Sequence, residues 1–225
     1  MVKIFFFIFF ILTLQFLNAA DNYFIFWTDE KPIIDGLLDD TIWQLTPKYK
    51  MVDAMTGKEA EIQTLVAFAC DSEFLFISFD VFDSSIFAFH TNRDAAIYEE
   101  DVCELFIALC DNEETKSYIE IEVNPLNTIF DAFLKTNINI NFDEAKKWNA
   151  DNIISTVFQK TNGWQLEIQL PLSYINFSSK NNSISLNATR IDRDNKESEY
   201  RYFALSPTFG WFHKPECFIN FLIKK

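Results

Sequence analysis

The chain contains two histidines, His90 and His213, and neither lies in a pattern that supports catalysis. A nucleophilic Ser–His–Asp site needs a serine on a sharp, glycine-rich turn, and a zinc site of the HExxH type needs two histidines on one helix. Neither pattern accompanies these histidines. We therefore expect both at the surface or at the rim of a site, without a catalytic role.

Glu120 and Glu122 alternate along one predicted strand, so their side chains share a face about 7 Å apart. This separation falls within the range of the two carboxyl groups of an inverting glycosidase. Hydrolysis, however, requires one carboxyl group on each side of the glycosidic bond, whereas neighbours on one strand approach it from the same side. We therefore expect this pair to lie on a solvated strand face.

Residues 192–195 (DRDN) begin like a calcium-binding loop. An EF-hand loop needs Gly at its sixth position and Glu at its twelfth, where this chain has Glu197 and Phe203. The sequence therefore excludes an EF-hand. An irregular calcium site built from carboxylates and carbonyls stays compatible with so acidic a chain.

Aromatic and polar side chains lie near the predicted strand ends in a combination that suits sugar recognition. Sugar rings present apolar C–H faces that stack on aromatic rings, and their hydroxyl groups hydrogen-bond to charged and amide side chains. Each aromatic residue could equally belong to the core, as we expect for Trp43 and Trp164. The candidate set comprises Tyr98, Trp148, Trp211 and Phe212, with Arg93, Glu104, Asn124 and Arg190.

Alternating apolar and polar residues dominate the segments that must position this set. Two pairs of segments, 64–70 with 74–81 and 101–110 with 118–123, flank polar turns and each predict a β-hairpin. Many short strands with few helices predict an all-β fold, either a β-sandwich or a jelly roll. Further strands are predicted at 128–134, 153–159, 165–170, 183–191 and 217–223, and short helical turns at 39–45 and 142–148.

The composition excludes several classes of protein. The 225 residues carry 19 Lys and Arg against 33 Asp and Glu, which gives a formal net charge of −14. Nucleic acids and anionic membranes attract clusters of basic residues, and the densest cluster here is the pair 146–147. Hydrophobic residues make up 49% of the chain, with 26 Phe, and Gly and Pro are scarce. A nucleic-acid binder, a disordered linker and a fibrous protein are therefore excluded.

The N-terminus predicts a signal peptide over residues 1–20. Lys3 precedes an apolar run at 4–17, and small residues follow at 19–20. The run is too short for a membrane-spanning helix, which needs about 20 apolar residues. A buried N-terminal helix is the alternative interpretation. We predict a secreted or periplasmic protein that is free of the membrane after cleavage, with a single domain at 21–225.

Four cysteines in an exported chain permit disulfide bonds. Cys103 and Cys110 lie seven residues apart on one predicted strand, so they point to opposite faces and are too far apart to bond to each other. We expect at most one disulfide, with buried free thiols as the alternative.

Six motifs, in the same order, resemble those of family 9 carbohydrate-binding modules and their relatives. Any one of them is weak evidence, but together they cover essentially the whole chain after residue 20. Residues 34–43 (IDGLLDDTIW) resemble an opening (I)DGxLDexxW, and residues 98–106 (YEEDVCELF) resemble WxxDxvEiF. The other matches are 74–79 followed by Asp83, 118–125 (YIEIEVNP), 187–192 (NATRID) and 212–218 (FHKPECF).

The resemblance implies a β-sandwich with immunoglobulin-like or jelly-roll layering, often stabilised by calcium. It also implies a site in which two aromatic rings sandwich the terminal sugar of a polysaccharide such as cellulose or xylan. By position, the first ring is Tyr98, and the second is Phe212 with Trp211 beside it. The polar contact of the same motif falls on Glu104.

The chain also departs from the family pattern. Glu122 stands where family members often have Arg, Ile219 replaces a closing Gly, and both expected Trp positions hold smaller rings. We interpret the protein as a secreted, non-catalytic carbohydrate-binding module, with Arg93, Asn124 and Arg190 as further hydrogen-bond partners of the sugar. It requires no cofactor, and calcium would be structural. The alternatives are a xylanase-type, glycoside hydrolase-associated protein and a structural or adhesive sandwich with a degenerate site.

Overall fold

The structure, a computed structural model, describes residues 23–110, 117–135, 140–178 and 180–225. The predicted signal peptide, residues 1–20, lies outside the described residues. The described part of the chain forms thirteen strands joined in one continuous sheet. The strands are β1 (Phe24–Trp27), β2 (Tyr49–Lys50), β3 (Val52–Asp53), β4 (Thr64–Cys70), β5 (Phe74–Phe82), β6 (Val102–Ala108), β7 (Tyr118–Val123), β8 (Ile129–Leu134), β9 (Ile154–Lys160), β10 (Gly163–Pro171), β11 (Ser183–Asp192), β12 (Arg201–Ala204) and β13 (Ile219–Lys224).

The sheet folds back on itself into a β-sandwich. Its hydrogen-bonded path runs β8-β7-β6-β11-β13-β1-β4-β5-β10-β9, with β2 added to β4 and β12 joining β11 to β3. Leu105 and Ile121 from one end of the path and Phe68 and Ile77 from the other belong to one buried cluster. Apolar side chains alternate along these strands toward that shared core. The predicted all-β sandwich is confirmed.

Both predicted hairpins are present. β4 pairs antiparallel with β5, and β6 pairs antiparallel with β7. The predicted strands between residues 128 and 223 correspond to β8, β9, β10, β11 and β13, with bounds shifted by a few residues. Sequence analysis missed β1, β2, β3 and β12, which are two to four residues long. Alternation cannot be recognised over so few residues.

Helices are short, as the sequence predicts. α1 (Thr41–Leu45) and α2 (Phe142–Ala145) each form about one turn. Three further single turns among the described residues are 3₁₀ helices, Ile97–Glu99, Leu172–Ile175 and Pro215–Cys217. No helix in the described ranges is long and apolar enough to cross a membrane.

The opening DGLLDD motif closes one face of the sandwich. Glu167 on β10 accepts hydrogen bonds from the backbone N–H of Gly36 at 2.8 Å, and from Trp43 Nε1 at 2.6 Å. Gly36 has φ +87°, and a Cβ there would lie 2.8 Å from the backbone nitrogen of Phe158. Only glycine fits this position without strain. Trp43 is fully buried, as predicted, and so is Trp164 in the main core.

The cysteines do not cross-link the sandwich. Cys70 and Cys103 are buried, and Cys217 is partly buried, and all three carry free thiols. Cys103 points into the main core. The alternative of buried free thiols therefore describes Cys70 and Cys103, and the structure contains no disulfide among the described residues.

Candidate functional site

A cavity of about 850 Å³ opens on the outer face of β6 and β7, on the side opposite the main core. Leu105 and Ile121 point into the core from these strands. Because side chains alternate, Glu104, Glu120 and Glu122 point the other way and line the cavity. The sandwich thus presents one strand face to the core and the opposite face to a pocket.

Loops and short helical turns around the strands form the walls of this pocket. The 3₁₀ turn Ile97–Glu99 supplies Tyr98, α2 supplies Phe142, and β12 supplies Tyr202. Asn141 caps α2, because its side chain accepts a hydrogen bond from a backbone N–H of that helix. The segment 210–213 supplies Trp211, Phe212 and His213.

Two of the predicted stacking rings are exposed at the pocket. Trp211 is 59% exposed and Tyr98 is 47% exposed. The Trp211 ring rests on that of His213, with centroids 4.6 Å apart, and lies 5.9 Å from that of Phe142. Phe212 is only 7% exposed. Trp211 therefore offers a ring face to a ligand, whereas Phe212 forms part of the wall.

The floor of the pocket consists of three buried glutamates, Glu104, Glu120 and Glu122. Glu104 and Glu122 are direct cross-strand neighbours on β6 and β7. The Thr189 hydroxyl donates a hydrogen bond to Glu104. The Oε2 atom of Glu122 is buried and, in the described part of the chain, has no hydrogen-bond partner. The expectation that Glu120 and Glu122 form a solvated strand face is wrong, because the walls described above cover that face.

Burial controls the charge of these groups. Desolvation raises the pKa of Glu104 to about 7, and it raises the pKa of Glu120 and Glu122 well above the usual value, with a smaller contribution from the neighbouring carboxylates. Burial lowers the pKa of His213 to about 4, so this ring is neutral near pH 7. His213 Nδ1 shares a hydrogen bond of 2.9 Å with the Tyr118 hydroxyl.

Arg190, a predicted sugar contact, does not line the pocket. It lies on β11 with the opposite side-chain direction from Thr189 and is fully buried. Its guanidinium donates to the carbonyl of Phe82 at 2.9 Å and to the carboxylates of Asp83 and Asp192. The structure assigns this arginine to an internal ion-pair network, where it has no access to a ligand in the pocket.

Asn124 and Arg93 also lie outside the pocket lining. The side chain of Asn124 donates to the backbone carbonyl of His90 and accepts from two backbone N–H groups of its own turn, so it organises the β7–β8 connection. Arg93 forms an ion pair with the buried Asp131 and a hydrogen bond to Asn149. Of the predicted binding residues, the structure brings together Tyr98, Trp211, Phe212 and Glu104.

One group of acidic side chains in the described ranges is compact enough to hold a metal ion: Asp83, Asp101 and Asp192. Their six carboxylate oxygens each accept a hydrogen bond, from Arg190, Arg201 or a backbone N–H. Burial and the two neighbouring carboxylates raise the pKa of Asp101 to about 8. Calcium needs six to eight free oxygen ligands. Two guanidinium groups already compensate this cluster, and its residues do not fit calcium as they stand.

Sequence reasoning missed several pocket residues. Tyr200 and Tyr202 are stacked in parallel, with centroids 5.9 Å apart and ring planes 6° apart, and both line the pocket. Their i, i+2 spacing beside β12 is a signal for one shared face, but β12 itself was not predicted. Phe130 on β8 and Phe142 on α2 lay within predicted elements without being assigned to the site.

A known protein family and several solved structures resemble this chain. A family model described as carbohydrate family 9 binding domain-like matches residues 34–218. Two solved structures of a carbohydrate binding module family 9 from Caldicellulosiruptor kristjanssonii, in complex with cellotriose and with glucose, align with a TM-score of 0.65 each. They share 14% and 15% sequence identity, covering 90% and 89% of this chain and 93% and 95% of their own.

A structure from Bacteroides uniformis ATCC 8492 aligns with a TM-score of 0.68 at 14% identity, covering 89% of this chain and 97% of its own. At these identities, the structural likeness establishes a shared fold. No curated protein matches the sequence.

Proposed function

Because this chain belongs to the carbohydrate family 9 binding domain-like family, we propose that it is a secreted or periplasmic, non-catalytic protein that binds the end of an oligosaccharide or polysaccharide. The observation that carries this proposal is the pocket of about 850 Å³ with exposed rings at Tyr98 and Trp211 and a polar floor that includes Glu104. The predicted signal peptide at 1–20 supports export.

The pocket combines the two kinds of contact that a sugar requires. The ring faces of Tyr98 and Trp211 suit the apolar C–H faces of a pyranose, and they remain accessible in the free protein. The floor carboxyl groups accept hydrogen bonds from sugar hydroxyls when ionised and donate one when protonated. A volume of about 850 Å³ falls within the usual range of small-ligand pockets.

The arrangement of the carboxyl groups supports binding rather than hydrolysis. Glu104, Glu120 and Glu122 all project from adjacent strands of one sheet face. Glycoside hydrolysis uses two carboxyl groups that flank the scissile bond. A sugar on this floor meets all three glutamates from the same side, so we assign them to recognition, without any cofactor.

The relatives guide the choice of ligand. The two structures from Caldicellulosiruptor kristjanssonii hold cellotriose and glucose. We therefore take β-1,4-linked pyranose chains, with glucans and xylans as the first to be tested, as the candidate ligands. The net charge of −14 speaks against nucleic acid and anionic membrane surfaces as partners.

Isothermal titration calorimetry of the purified protein with cello- and xylo-oligosaccharides tests this proposal. We expect saturable binding that weakens at least about tenfold in Trp211→Ala and in Tyr98→Ala, since each change removes a stacking surface. Phe89→Ala is the matched control, because Phe89 is 51% exposed and does not line the pocket.

The outcomes separate the alternatives. Release of reducing sugar from these oligosaccharides would identify a hydrolase. If the folded protein binds no sugar, or if the two pocket variants bind as well as Phe89→Ala does, the pocket is not a sugar site. The structural or adhesive interpretation would then be favoured.

A further inference from the structure

The pocket floor carries more acidic groups than its surroundings neutralise. Glu104, Glu120 and Glu122 are each about 3% exposed. Among the lining residues that the structure describes, five are acidic and Lys146 alone is a Lys or Arg. Lys146 is itself paired with Asp143 at 3.0 Å, outside the floor. Within the described ranges, the three glutamates therefore have no Lys or Arg partner in the pocket.

The neighbouring polar groups do not supply the positive charge that would keep these carboxyl groups ionised. His213 Nε2 lies 3.6 Å from Glu120 Oε1, but the ring is neutral near pH 7. Glu104 receives one neutral hydrogen bond, from Thr189. Glu122 Oε2 is buried and has no hydrogen-bond partner among the residues that the structure describes. A buried carboxyl oxygen without a partner destabilises the unliganded pocket, and a ligand that brings a donor to it removes that penalty.

The walls add a second attraction for positive charge. Tyr98, Tyr202 and Trp211 all line the space above the floor, and Tyr200 stacks beside Tyr202. A protonated amine is attracted to the faces of aromatic rings and, more strongly, to carboxylates at hydrogen-bond distance. Aromatic walls over an acidic floor therefore suit a cyclic ligand that carries a cationic group.

We propose that this pocket selects a sugar bearing a free, protonated amino group, such as a glucosamine residue in a β-1,4-linked chain. This inference rests on the proposed sugar-binding function and specifies its ligand class. The ammonium group donates hydrogen bonds to the floor carboxyl groups, including that of Glu122, and stabilises their ionised form, while the sugar ring stacks at Trp211 and Tyr98. A glucose residue offers hydroxyl donors without charge, and an N-acetylated residue replaces the ammonium by a neutral amide.

Three trimers that share the β-1,4-linked pyranose backbone provide the test. They are cellotriose, the trimer of N-acetylglucosamine and the trimer of glucosamine, which differ at the C2 substituent. Each is titrated calorimetrically into the purified protein at pH 6.5, with EDTA present to exclude divalent cations. We expect the glucosamine trimer to bind at least about tenfold more tightly than the other two.

Two isosteric variants locate the effect. Glu122→Gln and Glu120→Gln each remove a carboxyl group that can ionise against a bound ammonium, with little change of shape, and we expect either to reduce the preference for the glucosamine trimer several-fold. Glu61→Gln, at an exposed position away from the pocket, is the matched control for the general attraction of a cation to an acidic protein. Cellotriose affinity should change little in Glu61→Gln.

Each outcome decides a different claim. If cellotriose binds as tightly as the glucosamine trimer, the amino-sugar inference is wrong and the sugar-binding function stands. A glucosamine preference that survives both floor variants, or that Glu61→Gln reduces equally, would place the cation elsewhere on the surface and also overturn the inference. If no trimer binds to the folded protein, both the inference and the proposed function fail.

Discussion

Replacing Glu104 by Gln should make the protein more stable at pH 8 while leaving its stability near pH 4.5 almost unchanged. Glu104 is buried beside Glu122, and desolvation raises its pKa from 4.5 to about 7. The folded protein therefore holds this proton more tightly than the unfolded chain does. As the pH rises from about 4.5 to about 7, the free energy of unfolding falls.

The size of this effect follows from the pKa difference. A displacement from 4.5 to about 7 corresponds to about 3 kcal/mol of lost stability above pH 7, at about 1.4 kcal/mol per unit. Gln cannot ionise, and its carbonyl oxygen can still accept the hydrogen bond from Thr189. We therefore expect Glu104→Gln to raise the stability at pH 8 by about 1–3 kcal/mol.

Urea denaturation at pH 4.5, 6 and 8, followed by tryptophan fluorescence, measures this difference. For slopes of about 2 kcal/mol per M, the midpoint at pH 8 should rise by about 0.5–1.5 M. Glu61→Gln, at an exposed position, serves as the control and should follow the wild-type curve. A variant that gains the same stability at every pH, or loses stability at pH 8, would refute the conclusion that burial destabilises the ionised form of Glu104.

Two further predictions concern the scaffold. Gly36→Ala should cost at least about 1–2 kcal/mol in thermal denaturation, because φ is +87° and the new Cβ would meet the Phe158 backbone at 2.8 Å. Gly57→Ala, at φ +69° with ordinary contacts of 3.4 Å, should cost less, and an equal loss would remove the steric explanation. Replacing EDTA by calcium should raise the melting temperature by less than about 2 °C. The reason is that Arg190 already pairs with carboxylates of the group Asp83, Asp101 and Asp192. A larger rise would show a calcium site.

The strands were predictable because alternation is a local property. The β4–β5 and β6–β7 hairpins each place apolar side chains on one face over six or more residues, and the chain reverses at polar turns. The pocket depends on distant segments instead. Glu120 and Glu122 were expected to face solvent because nothing in strand β7 itself indicates that residues 210–213 and α2 cover its outer face.

The direction of a side chain explains the other differences. On β11, Arg190 lies on the same strand face as Leu186 and Ala188, which point into the core. Thr189 lies on the opposite face, together with Glu104 of β6. Applying the two-residue period to β6 and β11 together would have separated Arg190 from Glu104. The exposed ring of Trp211 next to the buried ring of Phe212 depends on the conformation of an irregular segment, for which sequence offers no period.

The parallel pairing of β1 with β13 has a mechanical consequence. Phe24 lies opposite Leu222 and Phe26 opposite Lys224. The first and the last described strands are therefore neighbours that run in the same direction. Tension applied between residues 24 and 224 would pull these strands lengthwise past each other. The hydrogen bonds of the pair would then carry the load together, in shear, instead of opening one after another.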